Sequence, residues 1–272
     1  MYSMLIKLEL KQMLRSRWMQ LVGILFTFVF TAIIVIQQMA LPDVEGFTRQ
    51  TASFLNVLLF LLPLFILTIG SMSIAGDVES GWFSLLKTYP MTRLQYIAGK
   101  YIASVLAFLL VIVVAFGVIL ALGGFLGGVR LPFIFIILNL LCIFIFVSLA
   151  IAVGAFAKTR LFALSLSLVF WSIFLLLISY ALMAIGTIVA GHILQKLTII
   201  AIHINPVEWL RFGYFIFTDQ ASVLGPAFYQ VTQFYSSPLG YVVYVAVTLL
   251  WIVCPLVYTS LLLSSSSFSE RR

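Results

Sequence analysis

The sequence predicts an all-α polytopic membrane protein, with six transmembrane helices, an interfacial helix ahead of them and a structured loop between the second and third. Three observations lead there. Of the 272 residues, 64% are hydrophobic and only 8% charged, whereas a soluble domain is about a quarter charged; the mean hydropathy is +1.22. The apolar residues gather in runs of about 20, the length of a bilayer-spanning helix, and not in the short alternating segments of a β-barrel. The charged residues collect between those runs. The net charge of +7 is therefore a loop property, and no nucleic-acid partner is expected.

Taken in order, residues 1–17 mix apolar and basic side chains. Lys7, Lys11 and Arg15 follow at helical spacing, with Ile6, Leu10 and Met13 on another arc. This reads either as an amphipathic helix on the headgroups or as a basic flank that orients the first span. A cleaved signal peptide is not expected, because the run Trp18–Ile36 exceeds an h-region and no small-residue cleavage site follows. Spans one and two occupy 18–75, separated by a loop with Pro42, Asp43, Glu45 and Arg49, and Pro63 is a kink position in span two. A charged loop fills 76–100. Spans three to five occupy 101–189, with a glycine-rich turn at 123–132 and a short turn at Ala157–Arg160. A half-polar, aromatic-rich segment fills 190–238, span six is 239–263 and a polar tail is 264–272.

Six spans put both termini on one side of the membrane. With the termini inside, eleven lysines and arginines are cytoplasmic and only Arg49, Arg130, Lys196 and Arg211 are outside. That bias places 76–100 in the cytoplasm and 190–238 outside it. The expected location is the cytoplasmic membrane of a prokaryote.

The missing chemistry narrows the function. All eight acids fall outside the expected spans, whereas ion-coupled transporters and intramembrane proteases use carboxylates at depth. His192 and His203 have no acidic or cysteine neighbours at ligand spacing, and Cys142, Cys254 and Met183 lie on separate spans. No catalytic residue, metal site or bound cofactor is expected of this chain. Gly99-Lys100 imitates the end of a phosphate-binding loop, but Leu94 and Tyr101 break the pattern. Energy for uphill transport would have to come from a partner.

The loop 76–100 reads as two short helices around a bend. Glu79-Ser80-Gly81 opens it, Trp82, Phe83, Leu85 and Leu86 form an apolar face, Pro90 makes the turn, and Thr92 caps a helix through Arg93 and Lys100. The order Glu79-x-Gly81, Leu85-Leu86, Pro90, Arg93, Gly99-Lys100 resembles the cytoplasmic loop of ABC-2 type permeases, the type V exporter-like membrane subunits of ABC transporters. The layout is similar along nearly the whole chain. The resemblance implies that Glu79, Gly81, Trp82, Leu85, Leu86, Pro90, Arg93, Gly99 and Lys100 belong to a coupling helix that docks on a separate ATPase subunit, with ATP bound there. Asp77-Val78 departs from the more basic lead-in of many members. The alternative is a linker whose charges only enforce orientation.

A second constellation is Asn205-Pro206-Val207-Glu208-Trp209-Leu210-Arg211. Asparagine at N-cap, proline at N1 and glutamate at N3 start a helix in which Glu208, Arg211 and Asp219 share one arc and Trp209, Phe212 and Ile216 another. It is similar to the corresponding stretch of NosY-type permeases, which serve nitrous-oxide reductase maturation. That resemblance implies export of a sulfur or copper species for copper-site assembly, and an extracytoplasmic accessory protein. The expected whole is a homodimeric permease, with the apolar pathway walls favouring a neutral or weakly polar substrate. The rival readings are a lipid, drug or peptide exporter permease, a non-transporting scaffold or immunity-type protein, and a membrane enzyme, against which the missing carboxylates count.

Overall fold

A computed structural model describes residues 2–40, 49–82, 92–125, 133–157, 159–218 and 220–264. The described residues are helical, with no strand. Helix α1 (Tyr2–Arg15) meets α2 (Arg17–Ala40) at a 62° bend. Helices α3 (Arg49–Glu79), α4 (Arg93–Phe125) and α5 (Phe133–Phe156) are long and apolar. Span five is composite: α6 (Arg160–Ser172), a π-helical turn (Ile173–Leu177) and α7 (Ile178–Gly186). Then come α8 (Gly191–Ile204), α9 (Pro206–Phe217), α10 (Tyr229–Tyr235) and α11 (Pro238–Ser264). Five helical runs are long and apolar enough to cross a membrane, and the bent α1–α2 pair makes a sixth. The expected six-span, all-α architecture is the observed one.

Helices α3 and α5 form the centre of the bundle. Their span windows are 56% and 61% buried, against 17% for span five and 22% for α11. Small residues let them approach. A Cβ on Gly70 would press on Ala150, and one on Gly154 would strike the Ser71 carbonyl; close backbone packing of this kind substitutes in lipid for a hydrophobic driving force. Span five joins the contact through hydroxyls: Ser71 Oγ lies 2.7 Å from Ser167 Oγ, and Ser167 also donates to the Leu67 carbonyl at 3.0 Å. Towards the end of the bundle opposite the α3 and α4 stems the filling changes to rings. Phe30 contacts Phe26, Phe54 and Phe116, and Phe116 contacts Phe135, which ties α2, α3, α4 and α5 together.

The bend before α2 lays α1 against α4, near the end of the bundle that carries the α3 and α4 stems. Its inward line is Leu5, Glu9 and Met13, one helical turn apart, while Lys7, Lys11 and Arg15 are exposed. Residues 2–15 are thus an amphipathic helix whose inward arc carries an acid.

The segment 190–238 differs from an aqueous loop. Helices α8 and α9 form a hairpin whose tip, Asn205, donates to the Phe174 carbonyl at 2.5 Å. Phe174 is the middle of the 27-residue run of span five. It also stacks edge-on against Trp251, in the middle of α11. Val207, Leu210 and Tyr214 of α9 join the main core. The hairpin therefore enters the bundle from the end opposite the α3 and α4 stems, turns beside the midpoint of span five and returns. Helix α8 has 14 residues, about 21 Å of rise, which is too short to span but long enough to reach the middle.

Candidate functional site: the stems of the α3–α4 loop

Helix α3 ends where the sequence stops favouring helix. Ser80 folds its hydroxyl back onto the Gly76 carbonyl at 2.7 Å, and Gly81 adopts φ +73°, a left-handed stop that a side chain would strain. Helix α4 starts with a reciprocal cap: Thr92 Oγ1 accepts from the Gln95 N–H at 3.3 Å, and Gln95 Oε1 accepts from the Thr92 N–H at 2.9 Å. The ends of the two stems leave Trp82 37% and Leu94 66% exposed, with Arg93 exposed as well. Phe83, Leu85, Leu86 and Pro90 lie outside the described residues.

Beneath that surface, each stem is fastened to other helices. Glu79 Oε2 accepts from the Arg160 backbone N–H at 2.9 Å and so caps the first turn of span five. The Arg160 side chain lies against Gly76, where a Cβ would leave it no room. On the other stem, Lys100 Nζ is 2.7 Å from Glu9 Oε2 and 2.8 Å from Asp77 Oδ2, and it donates to Ser73 Oγ at 3.2 Å. The Tyr96 hydroxyl donates to Asp77 Oδ2 at 2.7 Å. Lys100 and Glu9 are each 1% exposed and Asp77 8%. Burial raises the Glu9 carboxyl above its ordinary value; the Lys100 ammonium pulls it back, and Asp77 adds to the rise.

One expectation is corrected here. Gly99 and Lys100 are buried, so they present nothing to a docking protein in this conformation. Lys100 instead holds two carboxylates, because α4 turns it inward one helical turn below Tyr96. Asp77, which departs from the family's more basic lead-in, faces Lys100. Glu9 was missed altogether. The signal was its place on the apolar line of α1, four residues from both Leu5 and Met13.

The second constellation forms the expected helix start at an unexpected depth. Asn205 Oδ1 accepts from the Val207 N–H at 3.0 Å, Pro206 stands at N1, and Arg211 Nη1 donates to Glu208 Oε1 at 2.7 Å. Trp209, Phe212 and Ile216 are buried together with Tyr235 and Tyr244. Trp209 stacks on Tyr244 at 4.6 Å and donates its indole N–H to Thr248 Oγ1 at 3.0 Å. His203 bridges the Tyr235 hydroxyl and the Ile199 carbonyl, both at 2.7 Å, so it acts in packing this knot. Asp219 lies outside the described residues. Among the described residues, no three His, Cys, Asp or Glu side chains gather as a metal site would need.

The described residues form a polytopic helical bundle in which the α3 and α4 stems are fastened beneath a partly exposed surface and the α8–α9 hairpin packs into the core. The pattern of the family described as "ABC-2 family transporter protein" matches residues 3–269, and the chain belongs to that family. It is similar to the probable ABC transporter permease protein NosY of Pseudomonas aeruginosa, at 31% identity over 75% of this chain and 77% of the relative. A second relative, the probable ABC transporter permease protein NosY of Stutzerimonas stutzeri, is 27% identical over the same shares. The protein is a permease subunit of an ABC transporter.

Proposed function

We propose that this permease is energised by a separate ATPase subunit docking on the surface that Trp82, Arg93 and Leu94 leave exposed, with ATP bound by that partner and none by this chain. The observation that carries the reading is the contrast within one loop: apolar and basic side chains outward, and rigid fastenings inward. Apolar anchors with a polar rim suit docking into a partner cleft. The fastenings give the docked partner mechanical reach. A displacement of the α3 stem passes through Glu79 to span five, and a displacement of the α4 stem passes through Lys100 to α1 and α3. Two copies of the chain would enclose one pathway, and nucleotide binding below would shift the pair between inward- and outward-facing states.

The bias of lysine and arginine supports an orientation with both termini in the cytoplasm of a prokaryotic cell, the pathway crossing the cytoplasmic membrane. The likeness to the two NosY proteins supports an export role in nitrous-oxide reductase maturation, with an accessory protein meeting the outer face. The chain has no complete phosphate-binding loop, which supports a transport role without catalysis of its own.

The test is affinity purification of the tagged chain in mild detergent. A co-purifying ATPase in fixed ratio is expected, and Trp82→Asp is expected to abolish its capture while the chain still inserts in the membrane. Unchanged capture by Trp82→Asp would refute the docking surface. A monodisperse chain that captures no ATPase would favour a scaffold.

A further inference from the structure

A groove of about 970 Å³ runs between α2 and α4, and Leu14 of α1 closes one end of it. Its walls are apolar and open. Ile24 and Phe28 of α2 are each 70% exposed, and Val114 of α4 is 65% exposed. Thr27 also lines it, but its hydroxyl donates to the Gly23 carbonyl at 2.8 Å and asks nothing of an occupant. The groove has a definite length. At about 1.5 Å per residue, the α2 wall rises about 17 Å from Gln20 to Thr31, and the α4 wall about 18 Å from Leu110 to Leu122. A hydrocarbon half-layer is about 15 Å deep. The groove is therefore one leaflet long.

The end at Leu14 is basic. At about 100° per residue, Lys7 and Lys11 lie within about 60° of Leu14 around α1. Arg17 lies within about 60° of both Gln20 and Ile24 around α2, one turn before the groove begins. All three cations are exposed, and among the described residues none is ion-paired to a carboxylate. Glu9, the acid of α1, does not offset them: it faces the other way and is held by Lys100. An apolar slot of leaflet length with unpaired cations at one mouth matches a molecule with an acyl chain and an anionic head. A second copy of this chain fits less well. A two-fold pairing through this face would bring the same basic mouth in from both sides.

We propose that the α2–α4 groove is a binding site for an anionic phospholipid, its acyl chain lying between Ile24, Phe28, Val114 and Val118 and its head-group phosphate meeting Lys7, Lys11 and Arg17. The phosphate then joins α1 to α2 across their 62° bend, and the acyl chain joins α2 to α4. Bound lipid makes the three helices move as one body, and it holds α1 at a second place besides the Lys100–Glu9 pair.

The experiment is native mass spectrometry of the full-length chain, delipidated in a non-ionic detergent. It is titrated with phosphatidylglycerol or with phosphatidylcholine carrying the same acyl chains. One phosphatidylglycerol per chain is expected to bind about ten-fold more tightly than phosphatidylcholine. The double variant Lys11→Gln/Arg17→Gln is expected to lose that preference. Val114→Trp, which fills the groove, is expected to weaken both lipids about ten-fold, and Val253→Trp, on the exposed side of α11, to bind as the parent does. If Val114→Trp does not reach the membrane, Val118→Trp replaces it. Equal affinity for the two lipids, or a preference that ignores residues 11 and 17, would overturn the head-group site. Parental binding by the groove-filling variant, or equal weakening by Val253→Trp, would overturn the groove. Loss of a dimer mass in Val114→Trp with lipid binding unchanged would give the groove to a second copy and overturn the lipid. None of these outcomes touches ATPase capture, so the two readings fall separately.

Discussion

Lys100 holds two carboxylates at 2.7 and 2.8 Å in a place closed to water. Removing one partner of a buried charge pair costs about 3–5 kcal/mol, because the remaining charge keeps its desolvation penalty. Lys100→Met leaves Glu9 and Asp77 facing each other and is expected to lower stability by about that much, read as a fall in melting temperature in detergent. Adding Glu9→Gln and Asp77→Asn is expected to recover most of the loss, since a neutral cluster has little left to desolvate. A single substitution as stable as the parent would show that water reaches the cluster. The sequence made the residue conspicuous and mislaid its role. Gly99-Lys100 read as the tail of a surface motif because its neighbours Arg93 and Leu94 are indeed outward. The turn of α4 that buries Lys100 needs Glu9, 91 positions away, to be visible. Local spacing carries no information about such a pairing. Thr92 and Asn205 were legible for the opposite reason: a cap is satisfied within three residues.

The α8–α9 hairpin meets α11 at a close approach. Gly213 faces the phenol of Tyr244, where a methyl group would overlap the ring. Gly213→Ala is expected to push α9 from α11 at a cost of about 1–3 kcal/mol, and to expose the Trp209–Tyr244 stack, read as a shift in tryptophan fluorescence. An unshifted spectrum with parental stability would mean that the ring yields instead. The helix start at Asn205 was readable from four residues, and so was the burial of Trp209, Phe212 and Ile216, which share one side of the helix. Its depth was not. The polar signature of a cap is the same in water and at mid-bilayer, where the partner for the amide is a carbonyl of another span. The clue that was present is the 14-residue apolar run of α8, too long for a surface loop and too short to cross.

Across the whole chain, hydropathy did most of the work. Each apolar run became a helix because a backbone in lipid must satisfy its own hydrogen bonds, which makes span prediction robust where loop prediction is not. The lysine and arginine bias of the same sequence supports an orientation with both termini in the cytoplasm, and that is testable separately from any partner. Ser222, in the exposed turn Ala221–Leu224, replaced by cysteine is expected to react with an impermeant maleimide in intact cells. Reaction only after lysis would invert the topology. The fold and family were legible because they are long-range averages. The fastenings of the α3 and α4 stems and the inserted hairpin were not, because they depend on contacts between distant residues.

The π-helical turn at Ile173–Leu177 has a consequence for how motion travels. A turn of this kind holds one residue more than a straight α-helix over the same rise, which rotates everything beyond it by about 100°. The two halves of span five therefore answer to different neighbours. The lower half is pinned to α3 through Ser167 and to Glu79 through Arg160. The upper half leans on α8, with Gly186 set against Leu194. Between them, Phe174 offers its carbonyl sideways to Asn205. A push at the Arg160 end meets a knuckle before it meets the hairpin: the π-helical break lets the two halves turn about different axes, as a drive shaft does through a universal joint.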